Sequence, residues 1–133
     1  MIPIFADTSY YVALLNTNDS AHETAAEFAS SFHGQVLTTG WVLTELANLL
    51  ASAQARGRFI ACYQRLQADM YVLIVPPTEE RLKKGIEFYA RHQDKDWSLT
   101  DCISFLAMKE LGAEEALTTD HHFEQAGFRA LLK

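Results

Sequence analysis

A chain of 133 residues has room for one domain with a sizeable core and not for two ordinary ones. Apolar residues make up 49% of it, which excludes a disordered chain, and no apolar run approaches the roughly 20 residues that span a bilayer. The net charge of −6, from 11 basic and 17 acidic residues, argues on its own against a nucleic-acid partner.

The chain opens "MIPIFADTSYY", with neither the basic leader nor the small-residue cleavage site of a secretory signal, and so reads as a soluble cytoplasmic protein. Residues 2–6 are apolar without alternation, which predicts a strand buried on both faces. After "DTS" comes a helical stretch with Tyr11, Leu14 and Leu15 on one side, then a polar loop over 16–20. A helix over 22–32 stops at Gly34, and "QVLTT" (35–39) is a second strand. A long helix is predicted over 41–55, ended by Gly57, with another over 59–68. Residues 71–75 form a third strand, closed by Pro76 and Pro77; Thr78 caps a helix that runs to His92. After the polar loop "QDKD", a helix capped by Ser98 runs to Gly112. "EALTT" (115–119) is the fourth strand, a short helix spans 121–127, and 128–132 is the last strand. Short apolar strands alternating with helices predict an α/β domain with a mainly parallel sheet between helical layers. In such sheets, sites form at the carboxyl ends of strands.

Cys62 and Cys102 lie far apart, each in an apolar helical pattern, and read as free thiols. The five histidines have no zinc spacing, and a helix would point the adjacent His121 and His122 in different directions. No Lys or Arg precedes Arg56, and nine of the 11 basic residues fall between Arg56 and Lys109, where they read as solvated helix faces.

Four acids are harder to account for. Asp7 ends the first strand, Asp120 ends the fourth, and Asp101 lies in the first turn of the Ser98 helix. Each has a local explanation, because a carboxylate near a helix N-terminus is favoured by capping and by the macrodipole; for Asp101 a capping box with Ser98 is the form this takes. Glu45 has none. It sits mid-helix, and its neighbours at three and four residues, Trp41, Val42, Asn48 and Leu49, include no base. On the stripe Trp41–Glu45–Leu49 it faces inward, where an unpaired charge costs several kcal/mol. The opposite orientation would put Val42, Leu46, Leu49 and Ala53 in the core and Glu45 outside. Asp101 shares a stripe with Phe105 and Met108 on a helix apolar nearly all round, so it too faces a restricted place.

If the four acids converge, they repel one another unless a cation lies among them. A hard divalent ion with oxygen ligands, Mg²⁺ or Mn²⁺, fits such a set, and zinc does not. Two such ions would bring the effective charge from −6 to about −2 (−6 + 4), which weakens the objection to a polyanionic substrate. An all-carboxylate site with open positions suits in-line phosphodiester hydrolysis.

"FADTSYYVALL", "TTGWVLTELANLL", "WSLTDCISFLAMKELG" and "ALTTDHHFEQAGF" resemble, in order and at normal spacing, the four motifs of PIN-domain nucleases. The chain length, with almost nothing outside the domain, resembles a VapC-type toxin ribonuclease of a toxin–antitoxin pair. The resemblance implies one PIN-like domain over 1–133, a three-layer α/β/α sandwich with a central, mainly parallel sheet. It implies a Mg²⁺- or Mn²⁺-dependent endoribonuclease site in which Asp7, Glu45, Asp101 and Asp120 match the acidic quartet, with Ser9 and Thr118 as supporting hydroxyls. An RNA substrate, an antitoxin partner and a homodimer are implied with it. Asp96 lies just outside the third motif and reads as a solvated loop residue. Two other readings compete. A Mg²⁺-binding phosphoacceptor domain of flavodoxin-like class would want a lysine after a late strand, and "TTDHHF" offers none. A PIN-like module that only binds would not need its acids intact.

Overall fold

The computed structural model describes residues 1–133. In chain order the elements are β1 (Ile4–Ala6), α1 (Thr8–Leu15), α2 (His22–Ser31), β2 (Val36–Thr39), α3 (Gly40–Leu49), α4 (Arg56–Ala68), β3 (Val72–Val75), α5 (Glu79–Arg91), α6 (Leu99–Leu111), β4 (Glu115–Leu117), α7 (His121–Gln125) and β5 (Arg129–Ala130). The five strands form one sheet in the order β3-β2-β1-β4-β5, and every pairing is parallel. Parallel strands need crossovers, and helices supply them, so the sheet is flanked by helices as the α/β/α reading requires.

β1 is central and buried throughout: Phe5 and Ala6 are fully covered. The core extends from it through Phe123, Phe105 and Trp97, whose rings meet at centroid distances of 5.0 and 5.1 Å. α6 is buried on nearly every side, from Asp101 to Phe105 and at Ala107 and Met108, as a helix apolar all round must be. Its start is fixed by Ser98 and its end by Gly112, which takes the left-handed conformation at φ 77°. α5 lies so close to α6 that a Cβ at Gly85 would strike the Ile103 side chain.

Several boundaries differ from those predicted, the largest of them around α3, β1 and β5. The long helix over 41–55 breaks after Leu49, not at Gly57. Ser52 turns the chain: its carbonyl accepts from the N–H groups of Ala55 and Arg56, and its hydroxyl also accepts from Ala55. Gly57 then lies in the first turn of α4. β1 begins at Ile4, and β5 is only two residues long. Both cysteines are free, Cys102 buried and Cys62 half-buried. No helix is long and apolar enough to cross a membrane.

The strand order has a functional consequence. From β1 the chain moves outward to β2 and β3, then returns to place β4 and β5 on the other side of β1. The loops leaving β1 and β4 therefore diverge at neighbouring strand ends, and a crevice opens between them. Asp7 directly follows β1, and Asp120 lies three residues beyond the end of β4.

Candidate active site

A cleft of about 460 Å³ opens at this crossover, lined by Asp7, Ser9, Glu45, Asp101 and Asp120 together with Asp19, Asp96 and His122. The structure thus brings all four acids of the predicted quartet to one place from β1, α3, α6 and the β4–α7 turn. A larger concavity of about 720 Å³ is lined mainly by apolar side chains of α1, α2 and α4 and contains none of the four. The smaller cleft is where the acid chemistry is.

Asp7 is 6% exposed and caps nothing with its side chain. Its Oδ2 accepts instead from the Thr118 hydroxyl at 2.8 Å and the Ser9 hydroxyl at 3.2 Å. Each hydroxyl has one proton, so once both donate to Asp7 they must serve others as acceptors. They do: Ser9 Oγ accepts from Thr119 N–H at 3.1 Å, and Thr118 Oγ1 accepts from Asp120 N–H at 3.0 Å. The two supporting hydroxyls therefore fasten the acid after β1 to the turn that carries Asp120. Burial pushes the Asp7 carboxyl up to about 6, offset in part by the Thr118 hydrogen bond and the adjacent Thr8 backbone N–H and reinforced by the charge of Asp101.

Asp101 forms the capping box predicted for it and also lines the cleft. Its N–H donates to Ser98 Oγ at 3.0 Å, and its Oδ2 accepts from Ser98 N–H at 3.1 Å, which completes a capping box. The cap uses Oδ2 alone and leaves Oδ1 without a hydrogen bond. Burial raises the Asp101 carboxyl, and the Asp120 charge adds to the rise against the lowering effect of the Ser98 bonds. Asp120 divides its oxygens similarly: Oδ1 caps α7 by accepting from His122 N–H at 2.9 Å.

Glu45 is half-buried and has no hydrogen bond or ion pair. The stripe proposed to carry it inward is not the buried one. Val42, Leu43 and Leu46 face the core, while Leu49 is 64% exposed. Glu45 lies at the rim of that face and reaches the cleft from the side, so its location follows from helix packing and not from an apolar stripe of its own.

Sequence reasoning missed three residues of the cleft. Asp96 is exposed in its loop, as expected, yet lines the cleft. Asp19, from the loop before α2, was not singled out; its Oδ1 accepts from Ala21 N–H. His122 was set aside because adjacent histidines on a helix diverge. At the start of the one-turn α7 they do not: the two rings lie 4.3 Å apart. The ligating atoms of Asp120, His121 and His122 all lie within 4.8 Å of one another, the tightest such set in the molecule. The four carboxylates form a more open array.

The donor set fits a hard divalent cation. Six carboxylates line the cleft, the four of the quartet with Asp19 and Asp96; no Lys or Arg neutralises them there, and Asp7 is held in an environment that resists its negative charge. Two consequences can be measured. In EDTA, the raised Asp7 carboxyl keeps its proton in the folded state between about pH 4 and 6, where the unfolded chain releases it. Stability then falls as pH rises through that window, by about 3 kcal/mol. Urea denaturation at pH 4.5 and 7 should show about 2 kcal/mol of this loss for the wild type and a smaller one for Asp7→Asn. Thr118→Val, which leaves Asp7 Oδ2 without its shortest donor and Asp120 N–H without its acceptor, should cost about 1–3 kcal/mol in the same assay.

An acid-lined cleft at the crossover of a parallel sheet is the arrangement of a PIN-domain nuclease. The PIN-domain family model matches residues 4–129, and the chain belongs to that family. It is 30% identical over 125 residues to the 23S rRNA-specific endonuclease VapC20 of two strains of Mycobacterium tuberculosis, a match that covers 94% of this chain and 95% of the relative. It also matches the crystal structure of M. tuberculosis VapC20, described as a sarcin-ricin loop cleaving toxin, with a TM-score of 0.83 over 94% of this chain and 95% of that one. Within the PIN family it is a homologue of the VapC-type toxin ribonucleases.

Proposed function

We propose that this protein is a single-domain, cytoplasmic endoribonuclease that hydrolyses RNA phosphodiester bonds with Mg²⁺ or Mn²⁺, acting as the toxin of a toxin–antitoxin pair. The observation that carries this reading is the convergence of Asp7, Glu45, Asp101 and Asp120 on one cleft, in a chain of the PIN family. Asp7, Asp101 and Asp120 would hold the cation, each through an oxygen not engaged in the local hydrogen bonds. Bound there, a divalent ion supplies Lewis acidity toward a phosphate and makes water more acidic. Glu45, with no partner of its own, is a further ligand or the group that orients the attacking water. Ser9 and Thr118 hold Asp7 against the β4–α7 turn, so that its second oxygen keeps a fixed direction.

The phosphoacceptor reading finds no support in the cleft, which contains no lysine. The binding-module reading gains nothing from four intact acids. An antitoxin protein and a second copy of the chain are the partners that the VapC likeness implies.

The mycobacterial relatives are named for 23S rRNA, and that RNA is the first substrate to offer. Primer extension on ribosomal RNA incubated with the protein and Mn²⁺ should reveal one or a few discrete cleavage sites that EDTA abolishes. Uniform, metal-independent degradation would contradict the proposal.

A further inference from the structure

His122 has a position that neither capping nor core packing requires. Its ring lies at the edge of the cleft with the side chain 20% exposed. Its Nδ1 sits 3.1 Å from Asp120 Oδ1 and 3.4 Å from Asp101 Oδ2, between two acids that repel each other. Nδ1 is itself covered from solvent and completes no hydrogen bond in this arrangement. With Nδ1 this close to two carboxylate oxygens, a bare lone pair there would be repelled by both, so the proton of the ring belongs on Nδ1.

The oxygens that His122 faces are significant. Asp101 Oδ2 is the one that caps α6, and Asp120 Oδ1 is the one that caps α7. Neither is the oxygen left for a cation. We infer that His122 is a positioning residue of the nuclease site: its Nδ1–H, placed between Asp101 and Asp120, draws their capping oxygens together and sets the direction of the opposite oxygens toward the metal. The inference rests on the nuclease reading and extends it, since it assigns a role to a histidine outside the acidic quartet. A group that hydrogen-bonds a metal ligand fixes its orientation, and its loss commonly lowers metal affinity or activity by about tenfold to a hundredfold. His121, 62% exposed and with its Nδ1 3.8 Å from Asp120 Oδ1, has no comparable contact with Asp101.

The test uses metal binding, which does not depend on knowing the RNA. Mn²⁺ affinity is measured by titration calorimetry on the full chain for wild type, His122→Ala, His122→Asn and His122→Gln, each checked for folding by circular dichroism. Asn offers an amide N–H near the position of Nδ1, whereas Gln offers one near Nε2. The expected result is affinity about tenfold or more weaker for Ala and Gln, with substantial rescue by Asn. If His122→Ala does not fold, the Asn and Gln pair decides alone. Equal affinity in all variants would overturn the positioning role, as would Gln rescuing and Asn failing. Unchanged Mn²⁺ affinity with reduced cleavage would assign His122 to the chemistry and also overturn it. A wild-type protein that binds no Mn²⁺ would remove the nuclease reading itself, a different failure from that of the variants.

Discussion

Asp101→Asn should remain folded and soluble while its RNA cleavage falls by about a hundredfold or more. The capping box makes this substitution informative. An asparagine carbonyl can still accept from Ser98 N–H, and the Ser98 hydroxyl still accepts from the backbone of residue 101, so the start of α6 is retained. The cleft side changes more. Where the carboxylate offers an anionic acceptor, the amide then presents N–H donors, which cannot ligate a cation. A hundredfold loss corresponds to about 2.7 kcal/mol at the transition state, at 1.36 kcal/mol per tenfold. Capping is worth roughly 0.5–2 kcal/mol of stability, and most of it survives in this variant, so a large kinetic effect with a small structural one separates the two roles. Asp7→Asn should show the same loss, and Glu45→Gln a comparable one with no capping role to complicate it. Initial rates on a defined RNA, for proteins matched by circular dichroism, check all three. Wild-type rates in Asp101→Asn would reduce that residue to a cap.

The second large effect is on stability. Mn²⁺ or Mg²⁺ binds the folded chain and not a disordered one, so a hundredfold excess over Kd stabilises by about 2.7 kcal/mol, roughly 10 °C in Tm at this chain length. The apo protein is where the acids cost most: burial and neighbouring carboxylates raise both Asp7 and Asp101. Asp101→Asn should therefore melt no lower than wild type in EDTA and lose most of its response to metal. Melting curves at neutral pH with and without millimolar Mn²⁺ measure both quantities. Identical curves would argue that no metal site exists, and a large loss of stability for Asp101→Asn in EDTA would show the cap to be the main role of the acid.

Much of this arrangement was legible in the sequence, for identifiable reasons. Short strand-forming runs alternating with helical patterns mark the α/β class; β1 is buried on both faces as its unbroken apolar run requires, whereas β3, equally apolar, lies at the sheet edge and is only partly buried. Once the strands are located, Asp7 and Asp120 follow as strand-end residues, and "SLTD" gives both ends of the capping box. The features that were not legible depend on tertiary packing. Residues 50–55 consist mostly of good helix formers, and nothing local marks the break after Leu49 beyond Ser52. The orientation of α3 is not legible from its large apolar residues, because Leu49 is exposed and Trp41 only half-buried; Val42 and Leu46, four apart, mark the buried face. The direction of His122 could not be read, because spacing rules describe a continuing helix and α7 is a single turn. The spatial neighbourhood of Asp96 and Asp19 has no sequence signal at all.

The most direct test of the account is cleavage of a mixed RNA pool by the purified wild-type protein in EDTA, in Mg²⁺ and in Mn²⁺, with Asp7→Asn purified identically beside it. The account predicts discrete products only when metal is present and only from the wild type. A folded wild-type protein inert in both metals, or an Asp7→Asn protein that cleaves equally well, would contradict it.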